Sequence, residues 1–248
     1  HMKQGRYFKV ELKKLLIPGR KMLRQFLRYG TPVVANEAFW GIGTGMYPTI
    51  MGHMEGSREI LAAYTIVGNV NTLCMVAIFG LASTAAILIG REIGAGNKEQ
   101  VYSVGVAMNV LSVLVGIVMA LVLVVFAWWI GPKWVFPIFH LSAGASAIAG
   151  MMLTTQGVIA PLRDFNTTNI VGVLRGGGDV TAATVIDLSD LWLVSIPWAV
   201  VCGLVLHTQV FWVYMAIAVE QIGKFFCGVW RLRSGKWVHD LTRVGIGE

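Results

Sequence analysis

VVANEAFWGIGTGM, residues 33–46, lies in the middle of the first long apolar run of the chain. From Tyr29 to Met51 the sequence reads as a helix that crosses a membrane, yet Glu37 puts a carboxylate about a third of the way along it. A charge at that depth costs at least ~2.5 kcal/mol, so it persists only where something pairs it or uses it. Asn36 stands beside it, and Trp40 and Thr44 follow at +3 and +7, which places Glu37, Trp40 and Thr44 on one helical face. An aromatic ring on the same face as a carboxylate suits a cavity that holds organic cations. A carboxyl buried between helices and bonded to a serine or an asparagine is the competing reading.

The rest of the chain supports a membrane setting. Of 248 residues, 56% are hydrophobic and 13% charged, with a mean hydropathy of +0.67. A soluble domain carries roughly 25% charged residues. Six apolar segments are long enough to span ~30 Å of hydrocarbon, near 29–51, 60–89, 101–130, 142–174, 180–206 and 210–231. The expected fold is therefore all-α and integral to the membrane. A basic linker (1–28) precedes a six-helix bundle (29–231), and a basic tail (232–248) follows it. Within the linker, His1-Met2 reads as a cloning remnant, and no cleavable signal peptide is expected after it. Pro18-Gly19 should break the basic, Leu-rich stretch that runs from Lys9 to Arg28.

The net charge of +7 does not imply a nucleic-acid partner, because of where the charge sits. Nine of the twenty Lys and Arg lie between Lys3 and Arg28, and five more between Lys224 and Arg243. Turns at 53–59, 131–137 and 207–209 hold only Arg58 and Lys133, whereas those at 91–100 and 175–179 hold Arg91, Lys98 and Arg175. Basic residues stay on the inner side of a membrane, so both termini are expected in the cytoplasm and the chain in the plasma (inner) membrane. Cys74, Cys202 and Cys227 are far apart in apolar runs and read as packing residues.

Further polar residues fall inside the spans. Pro161 interrupts the fourth, and a polar stretch, Arg163-Asp164-Phe165-Asn166-Thr167-Thr168-Asn169, follows before IVGVL resumes. A bent span with polar residues at mid-depth is what lines a water-filled path. Arg163 is expected near Asp164, Asp187 or Glu37, or else near substrate. The fifth span carries Asp187 and Asp190 at i and i+3, on one stripe with Trp198 further along. Two such carboxylates repel, and a proton or a sodium ion would relieve the repulsion. Tyr64, Gly68, Asn71 and Met75 share a stripe of the second span, open to either helix packing or a cavity. Glu220 and Lys224, at i and i+4, read as an intrahelical pair near the inner surface. RGGGD (175–179) lets one helix end while Asp179 caps the next.

An enzyme is disfavoured. His1, His53, His140, His207 and His239 all fall in turns or tails, and no Gly-x-Ser-x-Gly elbow occurs. The Gly-rich turn GAGNKE lacks the spacing and the Lys-Ser/Thr of a phosphate loop.

Five motifs in order resemble the C-terminal half of the multidrug and toxic compound extrusion (MATE) family. They are GTPxxxNExxW (Gly30–Trp40), IGREIGAGN (Ile89–Asn97), FNTTNIVGVLRGGGD (Phe165–Asp179), IDLxxLWLVSIP (Ile186–Pro197) and WRLRSGKW (Trp230–Trp237). The resemblance implies one lobe of a twelve-helix transporter that exchanges sodium ions or protons for organic-cation drugs by alternating access. It further implies ion coupling at Glu37 and Asp187, with Asp190 a departure from the family pattern. A substrate cavity would be lined by Asn36, Trp40, Thr44, Asn71, Met75, Arg163 and Asn166, and any sodium would bind at Glu37 and Asp187. No other cofactor or metal is implied. Because a whole member is about twice this long, the lobe is expected to need a second six-helix lobe or a copy of itself. A flippase for lipid-linked precursors of the same superfamily, marked by basic residues lining the cavity, is the alternative. A structural or regulatory lobe without a site of its own is another.

Overall fold

Apolar side chains recurring along the chain build long helices whose outward faces stay bare. The computed structural model describes residues 20–239, so the linker before residue 20, the Pro18-Gly19 break and the tail beyond residue 239 lie outside the described residues. Within them the chain forms α1 (Arg20–Gly52), α2 (Ser57–Ala95), α3 (Glu99–Ile138), α4 (Ala143–Leu174), α5 (Val180–Val205) and α6 (Val210–Arg233). Helices α2 to α6 are long and apolar enough to cross a membrane; α1 is long enough at 33 residues, but more polar. Its basic first third (Arg20, Lys21, Arg24, Arg28) is one cause, and Asn36, Glu37 and Thr44, which reappear below, are another.

Helix α4 is the inner pillar. Half of its most apolar window is buried, against 22–39% for the other four apolar helices, and it packs on α2, α3 and α6. Two glycines let α3 come close to it. A Cβ on Gly116 would fall 2.6 Å from Cα of Pro161, and one on Gly157 would fall 3.2 Å from the carbonyl of Ala120. On the other side α1 lies along α5, with Gly43 against Leu191 and Ile196.

Three expectations need correction. The turn expected at 131–137 is not a turn, because α3 runs through Gly131-Pro132 in wide, π-type turns from Phe126 to Val135 and the chain reverses at 139–142. Proline's ring crowds the carbonyl four residues back in an ordinary α-turn, and wide turns relieve that crowding. Gly131 is buried against the Phe136 ring. The polar stretch after Pro161 is not a break either, since α4 stays helical to Thr167 and continues in wide turns over Thr168–Leu174. Asp179 makes no side-chain cap; its carboxylate accepts from Nε of Arg231 at 2.6 Å, a charged donor that outcompetes a backbone amide.

Two apolar cores hold the ends of the bundle. One, nearest the turns at 53–56, 139–142 and 206–209, centres on Met51, Phe136, Met152, Leu153 and Tyr214. The other, nearest the turns at 96–97 and 177–179, centres on Ile89, Val101, Val173, Leu174 and Trp237. Trp237 follows α6. Its ring fills the space beside Gly105 and Gly177, Nε1 donates to the Leu232 carbonyl, and Val238 bridges Gly178. Polar side chains gather around a cavity within the bundle.

Candidate functional site

That cavity is about 540 Å³ and is walled by α1, α2, α4, α5 and α6. Three carboxylates (Glu37, Asp187, Glu220) and three cations (Arg163, Arg175, Lys224) line it. Trp40, Tyr47, Tyr64 and Met75 supply much of its apolar wall.

The charges form a chain of contacts. Glu37, on α1, has a side chain 57% exposed and accepts from Nη1 of Arg175 at 2.8 Å. Nη2 of Arg175 lies 3.6 Å from Asp187 of α5. Asp187 accepts from Nδ2 of Asn36 at 3.1 Å and from Nζ of Lys224 at 2.7 Å. Lys224 also binds Glu220 at 2.6 Å, and Glu220 accepts from the Tyr47 hydroxyl at 3.1 Å. Tyr47 shares a 2.5 Å bond with Ser195, whose hydroxyl lies 2.7 Å from the Ala216 carbonyl. Each buried charge therefore touches an opposite one, the condition under which charges survive out of water.

A second polar group also borders the cavity. Arg163 pairs with Asp164 at 3.0 Å, and its Nη1 donates to Asn71 at 2.6 Å and to Gln156 at 3.1 Å. Of the three partners expected for Arg163, the structure places Asp164 beside it. Asp164 is buried behind the wall rather than in it. Gln156 passes the chain on by donating to the Tyr214 hydroxyl, and Asn166 is held by the carbonyl and the side-chain oxygen of Gln221.

Most of the residues picked from sequence converge here. Glu37, Trp40, Thr44, Asn71, Met75, Arg163, Asn166 and Asp187 all line the cavity. Thr44 spends its hydroxyl on the Trp40 and Gly41 carbonyls. Asn36 does not line it. It is 1% exposed and faces α5, because neighbours on a helix point ~100° apart. Asp190 is also outside, its carboxylate against the bare backbone of Gly223 on α6. Trp198 is turned away as well, donating to the Trp212 carbonyl, because wide turns at Leu191–Ser195 rotate the helix beyond Asp190. Glu220 and Lys224 are more than an intrahelical pair, since Lys224 reaches α5.

Arg175 is the cation that sequence reading missed. Its position in RGGGD pointed to a surface turn, but the backbone is still helical there. A signal existed: the glycines that stop the helix come after it, so a long side chain can reach back along α4. Arg163 is thus not the only basic lining residue. Among the described residues, no group of three or more His, Cys, Asp or Glu side chains is placed to hold a metal ion. The carboxylates expected to take sodium, Glu37 and Asp187, are engaged by Arg175 and Lys224.

The sequence profile of the MatE family matches residues 44–201. The chain belongs to the MatE family. This is a family of multi-pass membrane proteins that are secondary transporters, not enzymes. A probable multidrug resistance protein NorM from Thermotoga maritima is 24% identical over 241 residues, which is 96% of this chain and 50% of that protein. Among solved structures, the MATE transporter ClbM in complex with Rb+ superposes with a TM-score of 0.74 at 19% identity, covering 91% of this chain and 51% of ClbM. A MOP-superfamily transporter from Pyrococcus furiosus, described by a reverse polarity of its binding pocket, superposes with a TM-score of 0.75 at 19% identity, covering 94% and 52%. The chain thus spans about half the length of the MATE proteins it matches, and the likeness to the solved ones establishes the shared fold.

Proposed function

We propose that this chain is the C-terminal lobe of an ion-coupled exporter of organic cations, working with a second six-helix lobe or a copy of itself. The observation that carries the reading is the aromatic-sided cavity in which carboxylates of α1, α5 and α6 meet. Alternating access needs two bundles rocking about a shared site, so the lobe alone is half of the machine. Its basic segments orient it with both termini in the cytoplasm of a cell bounded by the plasma membrane. In this reading Glu37 and Asp187 exchange protein cations for a proton or a sodium ion as the lobes rock, and Trp40 holds the organic part of the cargo.

The test is efflux of ethidium from cells that carry the chain together with an N-terminal lobe. Glu37→Gln is expected to abolish gradient-driven efflux at unchanged protein level. Trp40→Ala should raise the apparent KM by roughly two- to thirtyfold, the worth of one cation–π contact. Wild-type efflux by Glu37→Gln would overturn the reading. A second reading, a flippase for lipid-linked precursors, gains one observation in its favour: three basic side chains line the cavity where one was expected. Each of them is already paired with a carboxylate, which leaves no surplus of positive charge for a pyrophosphate.

A further inference from the structure

The cavity's accessible carboxylate is not free. Glu37 is bound to Arg175, and among the described residues Arg175 has no other hydrogen bond: its Nε and Nη2 are buried without an acceptor, and Asp187 stays at 3.6 Å. The two partners differ sharply in freedom. The Glu37 side chain is 57% exposed and able to swing, whereas that of Arg175 is 12% exposed. Asp187 cannot swing across to replace Glu37, because Asn36 and Lys224 hold it.

A plain cation that draws Glu37 to itself therefore strips Arg175 of that hydrogen bond and leaves its guanidinium facing only Asp187, which is 3.6 Å away and already bound to Lys224. Taking one partner from a poorly solvated ion pair is unfavourable. Because Arg175 is tethered beside Glu37, it also competes with any incoming cation at high local concentration. A ligand that brings its own acid escapes both problems. Its ammonium takes Glu37 while its carboxylate takes the planar fork of Arg175, a match of geometry as well as charge. We propose that the cavity selects small amphipathic zwitterions, with Glu37 holding the cationic group and Arg175 the acidic one. Arg175 is then a specificity-determining residue for the cargo. The inference rests on the exporter reading and narrows its substrate class.

Three indoles of similar size separate the charges: tryptophan (zwitterion), tryptamine (cation) and 3-indolepropionate (anion). Their binding to the chain co-purified with an N-terminal lobe in lipid nanodiscs is measured by equilibrium dialysis of radiolabelled ligand. Tryptophan is expected to bind roughly tenfold tighter than tryptamine, the worth of a charged hydrogen bond. Arg175→Gln should reverse that order, and Arg175→Lys should restore it in part. Glu37→Gln, at an exposed side chain, gives an arm independent of any folding defect at Arg175. It frees the guanidinium, so 3-indolepropionate should bind tighter to this variant than to wild type. Tryptamine binding wild type as tightly as tryptophan, or no gain for the anion in Glu37→Gln, overturns the zwitterion proposal and leaves cation export standing. Failure of all three indoles to bind overturns both.

Discussion

Lys224 shows how much rests on single residues in this lobe. Its side chain is 4% exposed and sits between Asp187 and Glu220 at 2.7 and 2.6 Å. Lys224→Met would keep the volume of the stem and leave two carboxylates facing each other out of water. Loss of one member of a buried ion pair costs about 3–5 kcal/mol, so thermal unfolding in detergent should show a large drop in Tm. Glu220→Gln leaves Lys224 paired with Asp187 and should cost clearly less. At this scale the sequence was partly legible. A carboxylate inside an apolar run is conspicuous, so Glu37 and Asp187 stood out at once. Their partners did not, because Arg175 abuts a glycine turn and Lys224 has a sufficient partner four residues back. An ion pair between helices is a fact of packing, and a single helical wheel does not contain it.

Among the elements, the contact of α3 with α4 is the most demanding. Gly116 leaves no room for a side chain, since a Cβ there would meet the backbone of Pro161 and the Ala160 carbonyl. Gly116→Val should therefore force the two helices apart. Overpacking of this kind costs about 1–3 kcal/mol or more, visible as a lower Tm with cavity ligands still bound. Gly45→Ala, where nothing lies within 4 Å of the added carbon, is the matched control and should change little. The helices themselves were readable to within a few residues at most ends, because length and hydropathy alone set a membrane span. The wide turns were not. At Phe126–Val135 and Thr168–Leu174 the helix widens, and hydrophobic periodicity does not separate wide turns from ordinary ones. For the same reason a regular helical wheel puts Trp198 on the stripe of Asp187, whereas in the structure it bonds to the Trp212 carbonyl.

At the scale of the whole molecule, one wall of the cavity is α1, with Trp40 and Thr44 among its lining residues and the neighbouring Phe39 and Ile42 exposed. If a second lobe covers this side, Thr44→Cys should cross-link to a partner chain in membranes; a monomer that never cross-links would count against the pairing. The opposite assignment of roles holds at the end bearing Trp237. There the second core is completed by a residue that comes after α6, slotted beside Gly105 and Gly177. The ribosome delivers Trp237 only after α1 to α6 have been made, so that end of the bundle stays unfinished through insertion and closes last. A premature stop at residue 237 would yield a chain that inserts normally and yet exposes an unfilled apolar slot. Pulse-chase labelling should find it made at the normal rate and destroyed early, a quality-control failure written into the order of synthesis.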